Sequence, residues 1–84
     1  MNEKKVNVTV EYVGNEDYTD IVPPEMALQA IKVHAINKFE LDPTSEEKYI
    51  LQYNSIDMKD TTKIGDIGDN ITLILMLKKE VEKG

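Results

Sequence analysis

Eighty-four residues with 16 acidic and 10 basic side chains, a net charge of −6 and no cysteine describe one small acidic domain built on a single core. The charge balance argues against nucleic acid and an anionic membrane surface, because neutralisation of phosphate by basic residues supplies most non-specific affinity there. Without cysteine the sequence has no disulfide framework, no zinc–thiolate site and no thiol nucleophile.

The amino-terminal MNEKKVNV has charges but no apolar segment behind them, so it does not read as a signal peptide. The longest apolar run, ITLILML, is seven residues, against the ~20 of a membrane-spanning helix. A soluble, cytoplasmic, monomeric protein is expected.

VNVTVEY alternates strictly, with Val6, Val8, Val10 and Tyr12 on one face and Asn7, Thr9 and Glu11 on the other, which predicts a half-buried strand. Gly14 and Asn15 supply turn chemistry, and DYTDIV follows as the second arm of a hairpin that Pro23 and Pro24 end. Pro24 and Glu25 suit the first turn of a helix. EMALQAIKVHAINKFEL carries Leu28, Ile31, Ala35 and Phe39 in one apolar stripe widened by Ile36, and Pro43 stops it, leaving a polar loop. KYILQYN predicts a third strand. SIDMKDTTKIGDIGDN predicts an irregular connector pinned to the core by Met58, Ile64 and Ile67. ITLILMLKK is the last strand; Ile71, Leu73, Leu75 and Leu77 share one face, and Thr72, Ile74, Met76 and Lys78 the other. Being apolar on both faces in its middle, it suits a central position.

Groupings that could carry catalysis are absent from the sequence. His34 falls near the solvent boundary of the helix, without a cluster of carboxylates around it. Asp57, Asp60, Asp66 and Asp69 lack the alternating spacing and terminal glutamate of a calcium loop. Ser45, Thr61 and Thr62 have no base placed by a motif, and neither phosphate-binding glycine signature occurs. The reading is therefore a non-enzyme with no metal and no cofactor of its own.

The order strand, strand, helix, strand, long connector, strand resembles the ubiquitin-like β-grasp family. LQYNSIDMKDTTKI resembles the family's strand, tight turn, short strand and D-x-x-x-apolar connector, with Leu51, Met58, Asp60 and Ile64 at its spacings. LDP resembles its apolar-Pro helix exit and ITLILML its final strand, so the likeness covers residues 5–78. It implies an α+β fold, a mixed four- or five-stranded sheet on one main helix, with the first and last strands parallel at its centre. Residues 1–78 would form this domain and 79–84 a flexible tail.

The family commonly binds partners on the outer sheet face, around an exposed isoleucine, a valine and a mobile leucine. By resemblance Gln52, Ile74 and Val13 take these positions, and Met76 extends the apolar area beside Ile74. Conjugated members end on a tail whose final glycines thread into an adenylating enzyme. Gly84 matches the last of them; Lys83 departs from the usual pair. The resemblance implies a modifier of a divergent, prokaryotic or similar kind. Its Gly84 carboxylate would be handled by E1-like activating and E2-like conjugating enzymes, with a processing peptidase where needed, and attached to target proteins. The alternatives are a β-grasp interaction module that is never conjugated and, as the weakest, a sulfur carrier.

Overall fold

The computed structural model describes residues 4–78. Its strands are β1 (Val6–Glu11), β2 (Tyr18–Val22), β3 (Tyr49–Tyr53), β4 (Ile56–Asp57) and β5 (Ile71–Leu77), and its helices are α1 (Leu28–Lys38) and α2 (Ile64–Ile67). They form one five-stranded sheet in the order β2-β1-β5-β3-β4 with α1 against one face. β1 and β5 pair in parallel, with Val8 beside Ile71 and Val10 beside Leu73, while the other pairings are antiparallel. A parallel pair requires a long crossover, and here the whole segment from β2 to α2 supplies it.

The alternation read in the sequence is the alternation that packs. Val6, Val8 and Val10 of β1, Leu51 of β3, and Ile71, Leu73 and Leu75 of β5 point into the core. Leu28, Ile31, Ala35 and Ile36 of α1 meet them from above, and Ile64 closes the connector's end. Each fully buried branched side chain contributes about 1.5–3 kcal/mol of transfer free energy. The buried face of β5 stops at Leu75, because Leu77 is 58% exposed at the end of the strand.

α1 starts at Leu28, three residues later than the Pro24–Glu25 signal predicts. The cause lies in the connector. Gly65 donates to the Pro24 carbonyl (2.8 Å) and Ile64 to that of Met26 (2.9 Å), while the Met26 amide closes on the Pro23 carbonyl (3.1 Å), so residues 23–26 are held as a turn against the connector. The first helical amides then donate to connector carbonyls, Leu28 to Thr62 (2.8 Å) and Gln29 to Asp60 (3.0 Å). The helix thus needs no side-chain cap, since its orphan N–H groups are satisfied across the fold. Gly65 is obligatory here, for a Cβ would lie 2.5 Å from the Pro24 Cβ.

Two further differences are local. Residues 43–48, expected as a loop, form a 3-10 helix capped by Asp42, whose carboxylate accepts from the Thr44 amide at 2.9 Å. The connector contains α2, whereas its short strand β4 and tight turn are those the resemblance implies; the turn places Asn54 and Ser55 at φ 51° and 67°, the geometry of a two-residue hairpin loop.

Truncating the core from either side tests this packing. Leu28→Ala and Leu75→Ala are each expected to cost about 2–5 kcal/mol in urea unfolding; a loss near zero at both would contradict it.

Candidate functional site

The face of the sheet opposite α1 is open, and the strand registers order it into rows. Thr72 of β5 lies beside Thr9 of β1, which faces Thr19 of β2. In the next row Ile74 lies between Glu11 and Gln52, and Gln52 faces Asp57. Beyond it Met76 faces Ile50. One step further, the Lys78 amide donates to the Lys48 carbonyl at 2.8 Å, which extends the ladder and sets the two lysines opposite each other.

Ile74 is 40% and Met76 39% exposed. Gln52 is half-buried, and its Nε2 donates to Asp57 Oδ1 at 2.6 Å, which fixes the amide at the centre of the face. A shallow depression of about 530 Å³ brings Gln52 and Met76 together with Ile50, Ile56 and Leu77. Val13 is 87% exposed on the β1–β2 turn and does not line it. The strand registers set Gln52, Ile74 and Met76 side by side on one face, and Val13 lies on the β1–β2 turn two residues beyond Glu11. Gly84 lies outside the described residues.

The edge strand β2, and the part of β3 that the two-residue β4 leaves uncovered, are partly closed. On β2 the Ile21 amide donates to Asp20 Oδ1 (2.8 Å), and Tyr18 donates its hydroxyl proton to Asp20 Oδ2 (2.7 Å). Burial and that carboxylate push the Tyr18 phenol up to about 12. On β3 the Leu51 carbonyl accepts from the Met58 amide (3.0 Å), and the Tyr49 carbonyl accepts from Lys32 Nζ (3.1 Å).

Lys32 is the feature that the sequence reading missed. Its side chain is buried, and Nζ reaches both oxygens of Asp60 (3.1 and 3.0 Å) and Glu46 Oε2 (3.5 Å). The signal was present: Leu28, Lys32 and Ile36 are spaced by four, which places a charge in the middle of the apolar stripe. His34 is exposed, and the aspartates are spent separately. Asp57 holds Gln52 and Asp60 holds Lys32, while Asp69 accepts from the backbone amides of Asn7 and Asn70, which keep its carboxyl below the usual range. Among the described residues no three acidic or histidine side chains gather as a metal ion requires, and no helix is long and apolar enough to cross a membrane.

No family model and no curated protein matches the sequence. Solved structures do match in shape. The chain is similar to the ubiquitin of Caldiarchaeum subterraneum, with 16% identity, a TM-score of 0.75, and 92% of this chain and 98% of that one covered. It has the ubiquitin-like β-grasp fold. A structure described as molecular mimicry of SUMO that promotes DNA repair is similar at 10% identity and a TM-score of 0.76, covering 92% of this chain and 96% of that one. The N-terminal ubiquitin-like domain of the 4931431F19Rik protein is similar at 9% identity and a TM-score of 0.72, covering 99% of this chain and 84% of that one. At these identities the likeness establishes the architecture, and the chemistry of the β-grasp face must be read from its own residues.

The buried lysine gives two measurable asymmetries. Acylation of the folded protein by a water-soluble amine-reactive ester should modify the other described lysines, all exposed, and spare Lys32, as read by peptide mass spectrometry. Asp60→Ala leaves the buried ammonium only the Tyr49 carbonyl and the more distant Glu46, and should cost about 2–3 kcal/mol. Lys32→Met leaves carboxylates that water can reach and a single orphaned carbonyl, and should cost about 1 kcal/mol.

Proposed function

We propose that this β-grasp domain is a protein modifier, joined to amines of target proteins through the Gly84 carboxylate. A single conjunction carries the reading. The domain has the shape of ubiquitin- and SUMO-type structures, and Gly84 follows the end of its central strand β5 at Leu77 by seven residues. From Leu77 to Gly84 an extended chain spans at most about 25 Å, enough to carry the carboxylate well clear of the sheet into an enzyme's tunnel. An E1-like partner would form the acyl-adenylate with its own ATP, an E2-like partner would carry the thioester, and a lysine of the target would take the acyl group. The modifier itself contributes a rigid handle, and the cytoplasm is where such enzymes would meet it.

A second reading is favoured by the outward face. Ile74, Met76 and Ile50 lie contiguous there, while β2 and the uncovered part of β3 have backbone groups already taken, so binding on the face is better supported than strand addition there. In this reading the domain acts as an interaction module without conjugation. Ile74→Asp, which is outside the core but sets a second acid beside Glu11, should abolish partner binding while the fold persists with a loss of about 1 kcal/mol; unaffected binding would remove the face from either reading.

The test that separates the two is made in the native host. The protein is tagged at its N-terminus, purified under denaturing conditions, and digested for mass spectrometry. An isopeptide between Gly84 and a lysine of another protein is expected; only free protein, with partners lost on denaturation, would leave the module. A thiocarboxylate at Gly84 would instead identify a sulfur carrier.

A further inference from the structure

Among the described residues β2 pairs with β1 on one side and with no strand on the other. Its Ile21 amide donates to Asp20 Oδ1 (2.8 Å) and not to β1, so it points out of the sheet. Alternate residues of a paired strand turn their backbone groups the same way, so Thr19, Ile21 and the following Pro23 make up the outer edge. Pro23 is spent. It has no N–H, and its carbonyl accepts from the Met26 amide at 3.1 Å. Thr19 and Ile21 remain, and Asp20 between them holds one of their two amides. Tyr18 fixes Asp20 in turn, its hydroxyl donating to Oδ2 at 2.7 Å.

From this arrangement we infer that β2 is a self-pairing edge that Asp20 holds shut against a second copy of the chain. Across a two-fold axis at Asp20 the outer groups are self-complementary. Thr19 of each copy then faces Ile21 of the other, and each facing pair exchanges both of its N–H···O bonds. The two five-stranded sheets would become one. In that register Asp20 meets its own counterpart in a non-hydrogen-bonded pair, where Cα atoms approach to about 4.5 Å and side chains lie closest. Asp20 thus opposes the pairing twice, by occupying the Ile21 amide and by setting two carboxylates against each other. The second obstacle names what is excluded. A basic or neutral strand would meet no such repulsion, so the guard is directed at the chain's own copy. Other two-fold registers are poorer. Centring the axis on Ile21 sets Thr19 against the spent Pro23, and centring it on Thr19 sets Ile21 against Asp17, outside the strand. The charge of −6 on each copy adds a long-range repulsion that salt screens.

This inference is independent of Gly84 and of the outward sheet face. The test is sedimentation equilibrium of the full chain up to about 1 mM in about 0.3 M salt, which screens the net charge. Amide NMR spectra over the same concentrations locate any contact. The natural protein is compared with Asp20→Ala, which removes both obstacles, and with Asp20→Lys, which frees the Ile21 amide but restores a like-charge pair. A fourth chain joins Asp20→Ala to Ile21→Pro, deleting the freed donor at a position that gives no N–H to β1.

Asp20→Ala should dimerise at least about tenfold more tightly than the natural protein, with the amides of Thr19 and Ile21 shifting as it is concentrated. Asp20→Lys and the proline double variant should stay as monomeric as the natural chain. Should Asp20→Ala not fold, Asp20→Val, with the higher strand propensity, is read in its place. A neutral variant that stays monomeric throughout overturns the inference. So does dimerisation of Asp20→Lys as tight as that of Asp20→Ala, or a dimer whose shifts avoid β2. Shifts of Thr19 and Ile21 in the natural protein on adding an extended peptide of alternating lysine and valine would make a foreign strand the occupant, and overturn self-pairing.

Discussion

The ammonium of Lys32 is the point at which three separate stretches of chain are obliged to meet. It projects from the core-facing side of α1, and water cannot reach it there. An isolated buried charge costs several kcal/mol, so α1 can dock on the sheet only if acceptors are brought to the nitrogen. The Tyr49 carbonyl comes from the start of β3, Glu46 from the 3-10 helix before it, and Asp60 from the connector after β4. A helix could slide along an aliphatic surface at small cost. It cannot slide here without leaving a charge unpaired. The pair is thus better understood as fixing position than as adding stability, which matches its exposure: Asp60 is 39% open to water and Lys32 1%.

The same constraint orders the connector. With Asp60 held by Lys32, the neighbouring carbonyls of Asp60 and Thr62 are in place to cap α1, and Gly65 can close on Pro24. An irregular segment becomes a structural strut because its backbone groups find partners on one helix end.

How far the sequence foretells this follows from what each element depends on. The strands and α1 were legible because their alternation and stripe are local records of burial: Val6, Val8 and Val10, or Leu28, Ile31 and Ala35, occupy in the fold the faces their spacing predicts. The start of α1 was not legible, because carbonyls more than thirty residues away set it. Lys32 stood in plain view on the stripe, but its three acceptors belong to segments that only the tertiary fold assembles. At the outer face, Gln52, Ile74 and Met76 could be placed from the resemblance. Their charged neighbours required the registers that pair Glu11 with Ile74 and Asp57 with Gln52.

β5 ties these levels together. Ile71, Leu73 and Leu75 are locked between α1 and two neighbouring strands, and the intervening Ile74 and Met76 inherit that rigidity on the opposite face. A side chain that alternates with a close-packed one has little freedom to move along or across the sheet, because slipping by one residue would exchange core and surface altogether. Glu11 and Gln52 are fixed in turn by pairing beside Ile74, and Asp57 by its bond from Gln52. Ile74, Met76 and the polar side chains beside them are therefore one preorganised unit. A partner that binds it has no loop of this face to order, so the affinity of a small surface is spent less on immobilisation and more on contact.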